Sequence, residues 1–324
     1  MYDFDVIIVG GGPAGAACAR ELFRQGVNAA ILDKADFPRL KLCAGWITPE
    51  VFKDLKCSVN DYPHGIICFK KIYFHISGIK LPLKTRQYSI RRVEFDDWLL
   101  KKSKAHIFKQ RVKKIEKEKN QFIVDEKFRA KFIVGAGGTN CPVARNLFKN
   151  RSDKFTDRQI VALEKEFKTD YSVKDCHLWF FGNQLPGYSW FVPKAGGYLN
   201  IGIGGKLDKL NRKNISINEY WNRFINRLKE TGKIPDVKIK PKGYIYSLKN
   251  KSLQCHKDNA FIIGDALGLA TLDMGEGIGP AVKSGILAAK AIISGKGYNP
   301  DTISKFSLPS MCMAGLKLIS TKSY

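Results

Sequence analysis

Gly10, Gly12 and Gly15 stand in the spacing G-x-G-x-x-G, and each answers a separate need of a phosphate-binding turn. Gly10 permits a tight turn out of a strand, Gly12 lets the backbone approach a pyrophosphate, and Gly15 lets the next helix lie close to that strand. Pro13 and Ala14 open the helix, so its positive end faces the phosphates. An apolar run, Asp5–Val9, leads into the glycines, and a second, Asn28–Leu32, ends on Asp33. A carboxylate there accepts hydrogen bonds from ribose hydroxyls and disfavours a 2′-phosphate. The motif therefore predicts FAD or NAD rather than NADP, with Lys34 beside Asp33 placed in the same site.

A second constellation near the other end of the chain separates these two. Asn259–Ala266 reads as a strand that ends in Gly264-Asp265, followed by Gly268 and by Gly275-Glu276-Gly277-Ile278. The Asp265 carboxylate suits the hydroxyls of a ribityl chain. A helix that starts near Gly277 and Ile278 would face a flavin pyrimidine and stabilise negative charge on the reduced ring. Together the two constellations select FAD.

These residues need elements to hold them. Asp5–Val9, a helix over Ala14–Gln25 closed by Gly26, and Asn28–Leu32 complete a β-α-β unit. Short strands follow at Ile66–Ile76, Lys80–Pro82 and Ser89–Arg91, then a helix at Glu94–Lys102. Phe108–Glu116, Gln121–Asp125 and Arg129–Gly135 read as a meander. Further strands are expected at Ile160–Lys168, Cys176–Phe181, Tyr188–Val192 and Gly197–Gly204, and helices at Ser216–Lys229 and Gly277–Ile293. The predicted architecture is α/β: a discontinuous Rossmann-like FAD-binding domain over 1–65, 85–158 and 255–298. A β-sheet-rich substrate domain over 66–84 and 159–254 is inserted into it, and 299–324 forms a short C-terminal segment.

The 324 residues carry 55 Lys and Arg against 30 Asp and Glu, a net charge of +25, with 44% apolar residues. That charge suits an anionic membrane surface or an acidic partner. The basic residues are scattered and form no recognition module, so no nucleic-acid partner is expected. The eight cysteines (18, 43, 57, 68, 141, 176, 255 and 312) show no C-x-x-C pair, which predicts no metal site and a reducing compartment. Met1–Val9 reads as a strand rather than a secretory signal, and no run reaches the roughly 20 apolar residues of a membrane span. A cytoplasmic protein, peripheral at a membrane, is expected.

Three more stretches complete a pattern: Pro38-Arg39-Leu40-Lys41-Leu42-Cys43-Ala44-Gly45, Tyr188-Ser189-Trp190-Phe191-Val192-Pro193, and Arg92-Val93-Glu94-Phe95-Asp96. With the glycine turn, Asp33 and Gly264-Asp265, the chain resembles the geranylgeranyl reductase family of the p-hydroxybenzoate-hydroxylase-like FAD superfamily. The resemblance implies that Lys41, Cys43, Ala44 and Gly45 line the flavin, with Ala44 in place of the first glycine of a pair. It makes Cys43 the candidate catalytic residue, a thiol that tunes the flavin or protonates a carbanion; simple packing on the ring is the plainer reading. Tyr188, Trp190 and Pro193 match the family's Y-x-W-x-F-P motif, with Val192 in place of Phe, and imply an aromatic wall for an apolar substrate. Arg92 is implied near the cofactor, and Val112 in a strand that touches adenine through its backbone. Ala136 lies in Gly135-Ala136-Gly137-Gly138, where the superfamily has G-A-D-G. The missing acid weakens NADPH as the direct donor and leaves a reduced ferredoxin-like protein as the other choice. Relatives continue further past the last helix, so Pro300–Tyr324 implies an open or membrane-facing cavity.

The activity implied is FAD-dependent reduction of carbon–carbon double bonds in a prenyl lipid or similar apolar substrate. A flavin monooxygenase or halogenase is the alternative within the superfamily, although Tyr188 and Val192 depart from the halogenase W-x-W-x-I-P pattern. A maturation flavoprotein without catalysis of its own is a third reading.

Overall fold

The structure is a computed structural model that describes residues 1–148, 158–169, 174–249 and 253–308. Cys312, residues 149–157 of the predicted cofactor unit and residues 309–324 of the predicted terminal segment lie outside the described residues. In chain order the strands are Tyr2–Val9 (β1), Ala29–Asp33 (β2), Trp46–Ile47 (β3), Ile67–Ile76 (β4), Ile79–Ser89 (β5), His106–Lys109 (β6), Ile115–Glu118 (β7) and Gln121–Val124 (β8). They continue with Phe128–Gly135 (β9), Gln159–Lys168 (β10), Cys176–Phe180 (β11), Gly187–Lys194 (β12), Tyr198–Lys206 (β13), Lys242–Ser247 (β14), His256–Lys257 (β15) and Ala260–Ile262 (β16). The α-helices are Pro13–Phe23 (α1), Pro49–Asp54 (α2), Arg92–Lys102 (α3), Pro142–Leu147 (α4), Leu207–Lys213 (α5), Ile217–Glu230 (α6) and Ile278–Ser294 (α7).

The first sheet runs β15-β16-β9-β1-β2-β6. Strands β16, β9, β1, β2 and β6 are parallel, and Val6–Val9 at its centre are 0–4% exposed, as a sheet covered on both faces requires. The β7–β8 hairpin joins through β8 to β9. The predicted strand Phe108–Glu116 is two strands instead. β6 pairs with β2, and the chain then bends because the Asp125 carboxylate accepts the Lys113 and Lys114 amides at 2.9 and 2.7 Å. Val112 therefore lies in a loop rather than in the strand expected for it, with its side chain buried.

The second sheet runs β14-β10-β13-β12-β11-β4-β5-β3, antiparallel except between β4 and β11. It takes the predicted Lys80–Pro82 and Ser89–Arg91 pieces into one strand, β5, which ends at Ser89, and adds β3 and β14. Its rear face buries Trp179, Phe191, Ile201 and Ile203 against Tyr220, Trp221, Phe224 and Leu228 of α6. That helix starts at a capping box of Ser216 and Glu219. The front face carries Phe74, Leu178, Trp190 and Val192 and turns toward the cofactor-type half.

Helix α1 lies directly on α7. A Cβ at Gly285 would sit 2.2 Å from the Ala14 carbonyl oxygen and 3.0 Å from the Cys18 nitrogen. Ser284 Oγ accepts the Gly264 amide at 2.9 Å, and Gly264 has a φ of +60°. Gly285→Ala is expected to overpack this crossing, at a cost of about 1–3 kcal/mol. Thermal denaturation should show a lowered Tm, with Gly297→Ala, where a Cβ meets nothing within 4 Å, as the neutral control.

Candidate active site

The turn after β1 is closed to side chains at two points and open at a third. Gly10 has a φ of +115°, and a Cβ there would lie 2.4 Å from the Ala136 oxygen; a Cβ at Gly15 would lie 1.9 Å from the Gly10 oxygen. Ala136 donates its amide to the Val9 oxygen at 2.8 Å, which fixes β9 against this turn. At Gly12 a Cβ would meet only Arg39 Nη2, at 3.5 Å. Helix α1 carries no side-chain N-cap, so its first-turn amides are free of side-chain acceptors. A cradle with bare amides, a helix N-terminus and a guanidinium across it fits a pyrophosphate.

Arg39 was not among the expected site residues. It stacks on Phe37, with its Cζ 4.7 Å from the ring centre, and stands 3.7 Å from Asp96. Asp33 is buried, and its two oxygens accept the amides of Gly11 at 2.7 Å and Ala35 at 2.9 Å. The acid at the end of β2 thus shapes the glycine turn itself, and its remaining lone pairs are the ones available to a ribose. Lys34 points to solvent.

Beyond the turn opens a cleft. It brings together Pro13, Lys41, Cys43, Ala44, Arg92, Tyr188, Trp190, Asp265, Gly277 and Ile278, all expected from the sequence. It also takes in Trp46, Gln87, Tyr244, Tyr246, Met274 and Glu276, which were not. Tyr244 and Tyr246 lie on β14, a strand the sequence reading missed, although Tyr244-Ile245-Tyr246 alternates as a half-buried strand should. Val112 and Pro193 do not line the cleft. Val112 packs in the core behind β2, and the Pro193 oxygen accepts Ser89 Oγ at 2.6 Å. At the start of α7, Asp265 Oδ1 is 3.3 Å from a Cβ placed on Gly277. Glu276 accepts the Gly279 amide at 2.6 Å, and burial pushes its carboxyl up to about 7.

The Cys43–Gly45 segment is pinned from beneath by three buried side chains of the second sheet. Glu164 Oε1 accepts the Cys43 amide at 2.7 Å, and Asn200 Nδ2 donates to the Cys43 oxygen at 3.3 Å. Lys194 Nζ donates to the Ala44 oxygen and, at 2.8 Å, to the Ile90 oxygen. Gly45 (φ +63°) admits no Cβ, which would lie 2.2 Å from the Ile90 oxygen. Burial raises the Glu164 carboxyl to about 7 against the pull of the Cys43 amide, and lowers the Lys194 amine to about 8. Arg92 makes a two-pronged ion pair with Asp96, 2.7 Å on each arm. Burial opposes its charge, but Asp96 and the Cys43 sulfur outweigh that and hold the guanidinium above its ordinary range. Gly45 donates its amide to Cys43 Sγ at 3.3 Å.

The aromatic wall is equally fixed. Trp190 Nε1 donates to Asn200 Oδ1 at 2.8 Å, and Tyr188 donates its hydroxyl to the Met274 oxygen at 2.5 Å. A Cβ at Gly202 would lie 2.1 Å from the Trp190 indole, so β13 leaves out a side chain where the ring lies. A further cavity shares Tyr188, Trp190, Tyr246 and Gly275 with the cleft and reaches Phe180, Phe181, Lys206 and Lys209. Gly275 (φ +61°) faces the Tyr246 hydroxyl, 2.3 Å from where a Cβ would stand.

A family model described as "FAD binding domain" matches residues 3–50, the stretch that holds the glycine turn, Asp33, Arg39 and Cys43. An uncharacterized protein of Methanosarcina barkeri is 32% identical, the match covering 91% of this chain and 76% of that one. Digeranylgeranylglycerophospholipid reductase 3 of Methanosphaera stadtmanae is 26% identical over 95% of this chain and 82% of its own. Among solved structures, a geranylgeranyl bacteriochlorophyll reductase-like protein of Thermoplasma acidophilum shares the fold, with a TM-score of 0.77 and 21% identity over 99% of this chain and 84% of that one. The cradle and the matched family agree on FAD as the cofactor. No helix among the described residues is long and apolar enough to cross a membrane.

Asp33→Ala removes the acceptor of a buried amide, a loss of about 1–3 kcal/mol. FAD binding, followed by flavin fluorescence, should weaken at least about tenfold, with the fold retained. Glu164 and Glu276 bind protons more tightly folded than unfolded between pH 4.5 and about 7. Their contribution to stability therefore falls as pH rises through that window and is constant above it. Urea denaturation at pH 5 and at pH 7.5 measures the difference, which Glu164→Gln should reduce.

Proposed function

Because this chain belongs to the geranylgeranyl reductase family of FAD-dependent oxidoreductases, we propose that it reduces carbon–carbon double bonds of a prenyl lipid or a similarly apolar unsaturated chain. The observation that carries this reading is the aromatic wall of Tyr188, Trp190, Tyr244 and Tyr246, which lines the cleft shared by Cys43, Asp265 and the start of α7. Bound FAD supplies the hydride for such a reduction.

The residues of the chain do the rest. Asp33, Arg39, Lys41, Arg92 and the N-terminus of α1 would hold the phosphate and ribose half, with Gly10, Gly12 and Gly15 keeping side chains out and the Ala136 backbone packed behind the turn. Asp265 and the start of α7 hold the flavin half. Cys43, fixed by Glu164 and Asn200, sets the environment of the ring, and Tyr188 and Trp190 exclude water and flatten the chain against it. In this reading the segments 1–65, 85–158 and 255–298 form the cofactor unit and 66–84 with 159–254 the substrate unit. The net charge of +25 suits an anionic leaflet as the source of substrate and an acidic protein as the source of electrons. Gly137 leaves a reduced ferredoxin-like carrier a better fit than NADPH; a Cβ there would crowd the Cys141 backbone at 3.1 Å.

The test is anaerobic. Reduced FAD-loaded protein is mixed with digeranylgeranylglycerophospholipid, and flavin absorbance and lipid mass are followed together. Reoxidation with products heavier by pairs of hydrogens is expected. A flavin that stays reduced until air enters, with no saturated product, refutes the reductase reading and favours a monooxygenase. Trp190→Ala should raise KM at least about tenfold with FAD retained, since one aromatic face is lost. Cys43→Ser separates two roles: a shifted potential with normal product leaves tuning alone.

A further inference from the structure

Cys43 stands in a wall between two cavities. On one side is the cleft. On the other is a smaller cavity whose lining includes Leu40, Glu164, Lys165 and Lys242. The two share Lys41, Leu42, Cys43 and Arg92. Leu40 and Lys242 are exposed, so the smaller cavity reaches solvent. Glu164 lines it and is 2% exposed. Among the described residues its carboxylate makes no ion pair. Oε1 takes the Cys43 amide and, at 3.5 Å, Asn200 Nδ2, while Oε2 faces the Tyr244 hydroxyl at 3.5 Å. Tyr244 in turn lines the cleft.

Holding the Cys43 amide explains an acceptor at this position but not an acid. A neutral amide would accept the same bond without the cost of burying an ionisable group. What the carboxyl adds is a proton, placed between a cavity that opens to solvent and the hydroxyl of a residue that lines the cleft.

We propose that Glu164 is the positioning residue that carries protons from the smaller cavity to Tyr244, and through Tyr244 to the cleft. The proposal rests on the reductase reading, in which each reduced double bond gains one hydride and one proton. A hydride supplied by reduced flavin would leave an electron pair on the second alkene carbon. That carbon forms its C–H bond with the Tyr244 hydroxyl proton as Tyr244 takes the proton of Glu164. The Glu164 carboxylate then recovers a proton from water in the smaller cavity. The Glu164–Tyr244 contact of 3.5 Å is a long hydrogen bond that the transfer must shorten.

The groups that face Glu164 are Tyr244 and Lys242 on β14, Asn200 on β13, Lys194 on β12, Cys43 and Arg92 across the wall, and Lys165 and Glu166 on its own strand. Burial dominates them and sets the carboxyl to about 7, so the acid form is lost as pH rises through neutrality.

Two variants of the FAD-loaded protein test this. Glu164→Gln keeps an acceptor for Cys43 but carries no proton, and Tyr244→Phe breaks the relay with Glu164 intact. Infrared difference titration should show a protonated carboxyl band that ionises near neutral pH. The band should be absent in Glu164→Gln and kept in Tyr244→Phe, with Glu276→Gln identifying the other carboxyl of similar range. In single turnovers of reduced protein with digeranylgeranylglycerophospholipid, product formation should fall as pH rises past about 7. Both variants should be slower by about a hundredfold, with that pH dependence lost and FAD content unchanged. A band unaltered by Glu164→Gln, or a neutral-pH limb that persists in it, overturns the proposal. If the wild type saturates nothing, the reductase reading fails separately. Proton uptake on dithionite reduction of the bound FAD, read with a pH dye, then decides: slowed in both variants it supports the relay, unchanged it overturns it.

Discussion

Everything in the cofactor half depends on how closely α1 can approach α7. At Gly285 the two helices meet backbone to backbone, with no room for a methyl group between them. The same crossing sets Gly264 against Ala14 and ties its amide to Ser284. Two stretches from opposite ends of the sequence are thereby held as one surface. The N-terminus of α1, with no side-chain cap, stands at one end, and Asp265 with the start of α7 stands at the other. Longer side chains at the crossing would separate the two ends, and a single extended cofactor would no longer reach both.

The second sheet supplies a wall whose chemistry is polar underneath and aromatic on top. Glu164, Lys194 and Asn200 are each almost fully buried, and each uses that burial to hold the backbone from Cys43 to Gly45. Buried polar groups are expensive unless satisfied. Here they are satisfied by the loop they fix, so the loop and the sheet become one rigid unit. The aromatic side obeys the same economy: the indole of Trp190 and the hydroxyl of Tyr188 each have a partner, which leaves flat faces free for apolar contact.

What the sequence reveals follows the range of the forces involved. The glycine turn is legible because its requirements are local. Gly10 and Gly15 are needed whatever the rest of the chain does, and the spacing states it. Asp265 is legible for the same reason, at the end of a short apolar strand. The alternation of Tyr188 and Trp190 is visible, while that of Tyr244 and Tyr246 lies in a stretch with few apolar neighbours. Glu164 and Lys194 look like solvated charges in any window of sequence, because only the fold of the other half buries them. Arg39 was within a recognised stretch, yet its place over Gly12 depends on how the chain returns past Phe37. Val112 shows the converse. Its strand was inferred from relatives, and the Asp125 carboxylate bends the backbone there into a loop.

The missing side chain at Gly202 has a consequence for the traffic through the wall. An indole laid across bare backbone and held at its nitrogen is a fixed plate, not a swinging door. The edge that the cleft shares with the larger cavity is therefore fixed at Trp190, with Tyr246 and Gly275 on the same shared rim. Under the reductase reading, the unsaturated unit that enters is planar and the saturated unit that leaves is not. A fixed, flat ring lies closer against the first shape than against the second.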